Sequence, residues 1–87
     1  MSGHTKQYTI LVVDDEPSIV DVLRYNLEKS NFSVLVARDG EQAIKLAQTR
    51  QPDLIVLDLM LPGIDGLEVC RSLRKEDNIP IIMLTAR

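Results

Sequence analysis

The run Leu54-Ile-Val-Leu57 closes on Asp58, with Pro52 ahead of it and Pro62-Gly63 behind it. No other feature limits so strongly what this chain can fold into. A short unbroken apolar run bounded by proline reads as a β-strand covered on both faces, because a strand with one wet face alternates apolar and polar residues. Such strands belong to parallel sheets, whose neighbours are joined by crossovers that usually contain a helix. Ligands of these sheets gather outside the carboxyl ends of the strands. Asp58 stands at that end, either as a turn former or as a functional group.

Three further runs repeat the pattern. Tyr8–Val13 is β-branched and apolar and stops at Asp14-Asp15-Glu16-Pro17; Phe32–Ala37 and Ile79–Leu84 are the others. The segments between them have helical period. Pro17 suits a first helical turn, where its missing N–H costs nothing. Ile19, Leu23 and Leu27 then recur every four residues with Val20 beside them, to an end near Ser30-Asn31. Asp39, with Gln42 three residues on, has the capping-box pattern that opens a second helix. Ala43, Ile44 and Ala47 form its buried stripe, Leu46 flanks it, and it stops before Pro52. Asp65-Gly66 opens a third, with Leu67, Cys70 and Leu73 on one face and Val69 at the margin, ending in the polar turn Lys75–Asn78. The expected fold is α/β, a doubly wound parallel sheet in the order β-α-β-α-β-α-β with right-handed crossovers. One domain is expected over 8–87. Residues 1–7 read as a disordered polar tail, whose His4 has no partner at metal-ligand spacing.

Composition narrows the function. Two Tyr and one Phe leave no set of rings on which bases could stack, and a net charge of −3 without a Lys/Arg run gives no electrostatic case for nucleic acid. Cys70 is the single cysteine, which fits a reducing compartment and a small core residue. No apolar run reaches membrane-spanning length and the N-terminus has no signal-peptide core, so a cytoplasmic domain without membrane contact is expected.

Three acids fall on strand ends: Asp14 and Asp15 after the first, Asp58 after the third. Each alone reads as easily as a turn or helix cap. Together they sit where neighbouring strands share a crevice, which independent turn residues would not require. Three clustered negative charges repel unless a cation neutralises them, and oxygen-only ligation selects a hard ion such as Mg²⁺. Beside such an ion Asp58 can act as a carboxylate nucleophile toward a phosphoryl group, and Thr85, closing the fourth strand, can hydrogen-bond a phosphoryl oxygen.

These residues carry a resemblance. Ile-Leu-Val-Val-Asp-Asp-Glu-Pro (10–17), Pro-Asp-Leu-Ile-Val-Leu-Asp-Leu-Met-Leu-Pro-Gly (52–63) with Asp65-Gly66, and Ile-Pro-Ile-Ile-Met-Leu-Thr-Ala-Arg (79–87) resemble the receiver domain of bacterial two-component response regulators. The endings Met-Leu-Pro-Gly and Met-Leu-Thr-Ala-Arg look most like the receivers that control winged-helix transcription factors. The resemblance implies a flavodoxin-like fold, with strand order 2-1-3-4 for the strands present. It implies a phosphoacceptor signalling domain rather than an enzyme, one that assists its own phosphorylation and dephosphorylation. Asp58 would be the phosphoacceptor, Asp15 a direct Mg²⁺ ligand, Asp14 an acidic partner reached through water, the Met60 backbone carbonyl a further ligand and Thr85 the switch hydroxyl. A histidine kinase would be the phosphodonor, and an effector DNA-binding domain would lie in the parent protein.

The chain also departs from that pattern. The family continues past Thr85 with a helix, a fifth strand ending in a lysine that contacts the phosphoryl group, and a last helix; none is in these 87 residues, and no residue takes the lysine's role. Impaired acceptance and lost switching are therefore expected. The fourth strand is expected as a bare edge and the first helix as only a partial cover, arrangements that invite self-association or completion by a fused segment. Two competing readings stand beside the phosphoacceptor. One is a truncated or engineered fragment without a working switch, which failure to bind Mg²⁺ would indicate. The other is an aspartyl-nucleophile hydrolase, disfavoured because Leu59 and Met60 follow Asp58 where that class resembles Asp-x-Asp.

Overall fold

The computed structural model describes residues 7–58, 66–76 and 79–84. Seven elements follow in order: β1 (Thr9–Val13), α1 (Pro17–Lys29), β2 (Ser33–Ala37), α2 (Gly40–Arg50), β3 (Leu54–Asp58), α3 (Gly66–Glu76) and β4 (Ile81–Leu84). All strand pairs are parallel, in the order β2-β1-β3-β4. Both the element order and the strand order agree with the expectation. The Pro62-Gly63 turn and Asp65 lie outside the described residues, as does the side chain of Leu67.

The helices divide between the two sheet faces. Leu11 and Val13 of β1, Ala37 of β2, and Ile55 and Leu57 of β3 pack with Ala43 and Ala47 of α2 and Val69, Cys70 and Leu73 of α3. Ile10, Val12 and Val56 point the other way, toward Leu23 and Leu27 of α1. The split follows from the two-residue period of a strand. It also explains why β1 and β3 are nearly continuous apolar runs, since both of their faces are covered.

The helix faces differ in detail from the expectation. Val69, expected at the margin of α3, is fully buried at its centre, more so than Cys70 or Leu73. Val20 is the buried residue of α1, while Ile19, Leu23 and Leu27 are half-buried. Periodicity finds the apolar stripe but cannot say which residue on it meets the sheet squarely. The strands are also shorter at their starts than the apolar runs: Tyr8 is half exposed, and Phe32 and Ile79 precede their strands. Full burial of an aliphatic side chain contributes roughly 1.5–3 kcal/mol. By that measure β1, β3 and the α2/α3 layer hold far more of the stability than α1.

The turns are specified locally. Asp39 caps α2 by accepting from the Gln42 backbone N–H at 2.8 Å. Gln42 does return a bond, as a capping box requires, but its Oε1 accepts from Arg38, one residue earlier than the pattern's usual donor, at 2.9 Å. Helix α1 ends at Lys29 with Ser30 as its C-cap, and Asn31 follows at φ 72°. The Asn31 N–H donates to the Glu28 carbonyl and the Phe32 N–H to the Leu27 carbonyl, which is a Schellman ending with asparagine in the left-handed position. The N-terminal edge of the sheet is tied by Asp53, whose Oδ2 accepts from the Thr9 N–H at 2.9 Å and whose own N–H donates to the Thr9 carbonyl at 2.8 Å.

Candidate metal and phosphoacceptor site

The parallel register builds the site. Val13 pairs with Leu57, so the next residue on each strand, Asp14 and Asp58, closes two adjacent central strands side by side. Both are 1% exposed, while Asp15 is open to solvent. Oxygens of Asp14, Asp15 and Asp58, one from each, lie within 4.8 Å of one another. The structure thus brings together three of the predicted site residues. The other two, Met60 and Thr85, lie outside the described residues.

Backbone bonds hold Asp14 in place. Its Oδ1 accepts from the Glu16 N–H at 2.9 Å, closing a local turn, and its own N–H donates to the Ala37 carbonyl at 3.1 Å as the last rung between β1 and β2. Glu16 occupies the N-cap of α1 without a capping bond from its side chain, and Pro17 follows as the first helical residue. The turn Asp14–Pro17 therefore serves two ends: it fixes one carboxylate and starts a helix. The Asp58 side chain interacts with its surroundings, yet its Oδ2 atom accepts no hydrogen bond from the described residues.

This donor set fits a hard divalent cation. It is all oxygen and concentrates three carboxylates, and it pairs two buried acids with an exposed one that leaves a side open to water and ligand. Two buried like charges at such close range cost energy that a cation would offset.

Sequence reasoning found the acids but not what braces them. The Ala37 carbonyl gave no signal, since a backbone group paired across strands has no residue type of its own. In the sequence Gln42 carries only a helix-cap signal. Asp53 precedes the third apolar run with no signal of its own, and its bond to Thr9 exists only because β1 and β3 are neighbours.

Among the described residues, a four-stranded parallel sheet with helices on both faces and carboxylates on its two central strand ends defines a doubly wound α/β domain with a cluster of acids that could hold a cation. The chain belongs to the response regulator receiver domain family, whose model matches residues 10–87. It is 61% identical over 79 residues to the alkaline phosphatase synthesis transcriptional regulatory protein PhoP of Bacillus subtilis, a match spanning 90% of this chain and 33% of that protein. The chain thus covers about a third of that relative's length. Among solved structures it is similar to the BeF3-activated N-terminal receiver domain of Klebsiella pneumoniae RstA, with 37% identity and a TM-score of 0.85 over 91% of this chain and 68% of that one. The receiver domain of the Francisella response regulator 1452 is comparable, at 36% identity and a TM-score of 0.86 over 92% and 67%. No helix among the described residues is long and apolar enough to cross a membrane.

Proposed function

We propose that this chain is the phosphoacceptor part of a two-component response regulator, taking a phosphoryl group from the phosphohistidine of a histidine kinase onto Asp58 with Mg²⁺. The observation that carries the reading is the meeting of Asp14, Asp15 and Asp58 oxygens within 4.8 Å at the carboxyl ends of β1 and β3. Bound Mg²⁺ supplies positive charge that relieves the repulsion among these acids and attracts phosphoryl oxygens. By family resemblance Asp15, which is exposed, would be the direct ligand, and Asp14, whose Oδ1 accepts from the Glu16 N–H, would be an acidic partner reached through water. A carboxylate oxygen of Asp58 bonds to phosphorus while the bond from phosphorus to the imidazole nitrogen breaks, leaving its electron pair on that nitrogen. By family resemblance the Met60 carbonyl completes the ligands and the Thr85 hydroxyl accompanies the phosphoryl group.

Family membership favours this reading over an inert fragment or a hydrolase. The parent protein, like the transcriptional regulator it resembles, would pass the signal to a DNA-binding effector domain in the cytoplasm. The receiver portion would assist its own phosphorylation and dephosphorylation without being an enzyme toward other substrates. A second reading rests on a separate observation: β4 is one of the two outer strands among the described residues, and its Ile82 and Met83 are 52% and 41% exposed. An outer strand with exposed apolar side chains favours pairing with a second copy or cover by a completing segment.

The test of the main reading is chemical. Incubation with a small-molecule phosphodonor and Mg²⁺ is expected to add one phosphoryl group by intact mass. The adduct should be acid-stable and base-labile, and absent with chelator or in Asp58→Asn. Equal labelling of Asp58→Asn would show that another residue accepts the group.

A further inference from the structure

We infer that Gln42, on the first turn of α2 and outside the acidic cluster, is a positioning residue for that cluster, acting through the peptide group between Ala37 and Arg38. The inference deepens the Mg²⁺ reading above and rests on it. The Ala37 carbonyl and the Arg38 N–H belong to one planar unit, so they turn together and point in opposite directions. The N–H end is held by Gln42 Oε1 at 2.9 Å, and the carbonyl end receives the Asp14 N–H at 3.1 Å. Gln42 is held in turn, since its own N–H donates to Asp39 Oδ1 at 2.8 Å. The plane is therefore pinned from both sides, and its orientation sets where the last rung of the β1–β2 ladder holds the Asp14 backbone. Asp14 Oδ1 is already committed to Glu16 N–H at 2.9 Å, so a shift in its backbone moves the remaining oxygen relative to Asp58.

The core steadies only one end of the plane. Ala37 is buried, but it is the last residue of β2, an outer strand on the side away from β3, and the chain leaves the core at Arg38 and Asp39, which are exposed. Gln42 supplies from the helix the restraint that the end of an outer strand lacks. A simple N-cap would need only the Gln42 N–H, and a capping box would take the side chain back only as far as the Asp39 N–H. The side-chain bond reaches past the N-cap to the peptide that touches Asp14.

The test uses the whole chain and Mg²⁺ itself as the probe. Gln42→Met keeps length and helix propensity but cannot accept from Arg38. Gln42→Glu restores an acceptor, and Lys45→Gly weakens α2 at an exposed position away from the turn. Partners that directly orient metal ligands typically matter 10–100-fold in affinity, so one link further out a loss of roughly threefold to tenfold is expected for Gln42→Met. Gln42→Glu should bind Mg²⁺ at least as tightly as the unmodified chain, and Lys45→Gly should match it. Hydrogen exchange at the Asp14 amide should quicken in Gln42→Met and not in Gln42→Glu. Unchanged affinity in Gln42→Met, an equal loss in Lys45→Gly, or no recovery in Gln42→Glu would overturn the inference while leaving the Mg²⁺ site standing. Absence of Mg²⁺ binding by the unmodified chain would overturn both.

Discussion

Asp58 ends a buried strand as a carboxylate, 1% exposed and close to a second buried acid, Asp14. Without a cation that arrangement works against folding, and with one it becomes a source of stability. Binding to the folded state alone stabilises by about 2.7 kcal/mol at a ligand concentration a hundredfold above Kd. For a domain of this size each kcal/mol is worth roughly 4–8 °C in Tm. Mg²⁺ is therefore expected to raise the melting temperature by about 10 °C or more, reversibly with chelator. Asp58→Asn removes one of the repelling charges, so it should melt no lower than the unmodified chain in chelator and should lose most of the Mg²⁺ shift. Calorimetry with and without the metal checks both; a full shift in Asp58→Asn would mean that Asp58 does not contribute to binding.

Among the elements, α1 and α3 make a contrast. Both carry an apolar stripe, but α3 sets Val69, Cys70 and Leu73 into the core while α1 buries Val20 alone. Val69→Ala leaves a gap among fully packed side chains and is expected to cost roughly 2 kcal/mol, between the usual Ile→Val and Leu→Ala penalties. Val22→Ala, on the exposed side of α1, should change stability by less than about 0.5 kcal/mol. Denaturant melts of the two variants compare them directly. Equal costs would mean that Val69 is not packed in the core.

The whole molecule is uneven from one side of its sheet to the other. On one face, α2 and α3 close over β1 and β3; on the other, α1 covers Ile10, Val12 and Val56 with half-buried leucines. At the outer strand β4, Ile82 and Met83 present apolar surface. Concentration-dependent association is the expected outcome by light scattering, and Ile82→Lys should shift the population toward monomer by placing a charge on the edge. A monomer across the whole concentration range would remove the self-association reading and leave the phosphoacceptor reading untouched.

Much of this was legible in the residues. Apolar runs closing on acids, helical periods between them and prolines at their bounds were enough for the element order. The resemblance of the motifs at 10–17, 52–63 and 79–87 supplied the strand order and the assignment of Asp14, Asp15 and Asp58. These features are local, because hydrophobic period and turn chemistry act within a few residues. What the tertiary structure decided is relational. Val69 rather than Leu73 sits deepest because helix rotation against a sheet is set by packing, and a stripe tolerates more than one rotation. Asp53 ties down Thr9 and Gln42 reaches the peptide beside Asp14 because strand register makes distant segments neighbours. The acids were encoded as residue types at strand ends; their meeting within 4.8 Å depends on β1 and β3 lying side by side in register, which only the assembled sheet enforces.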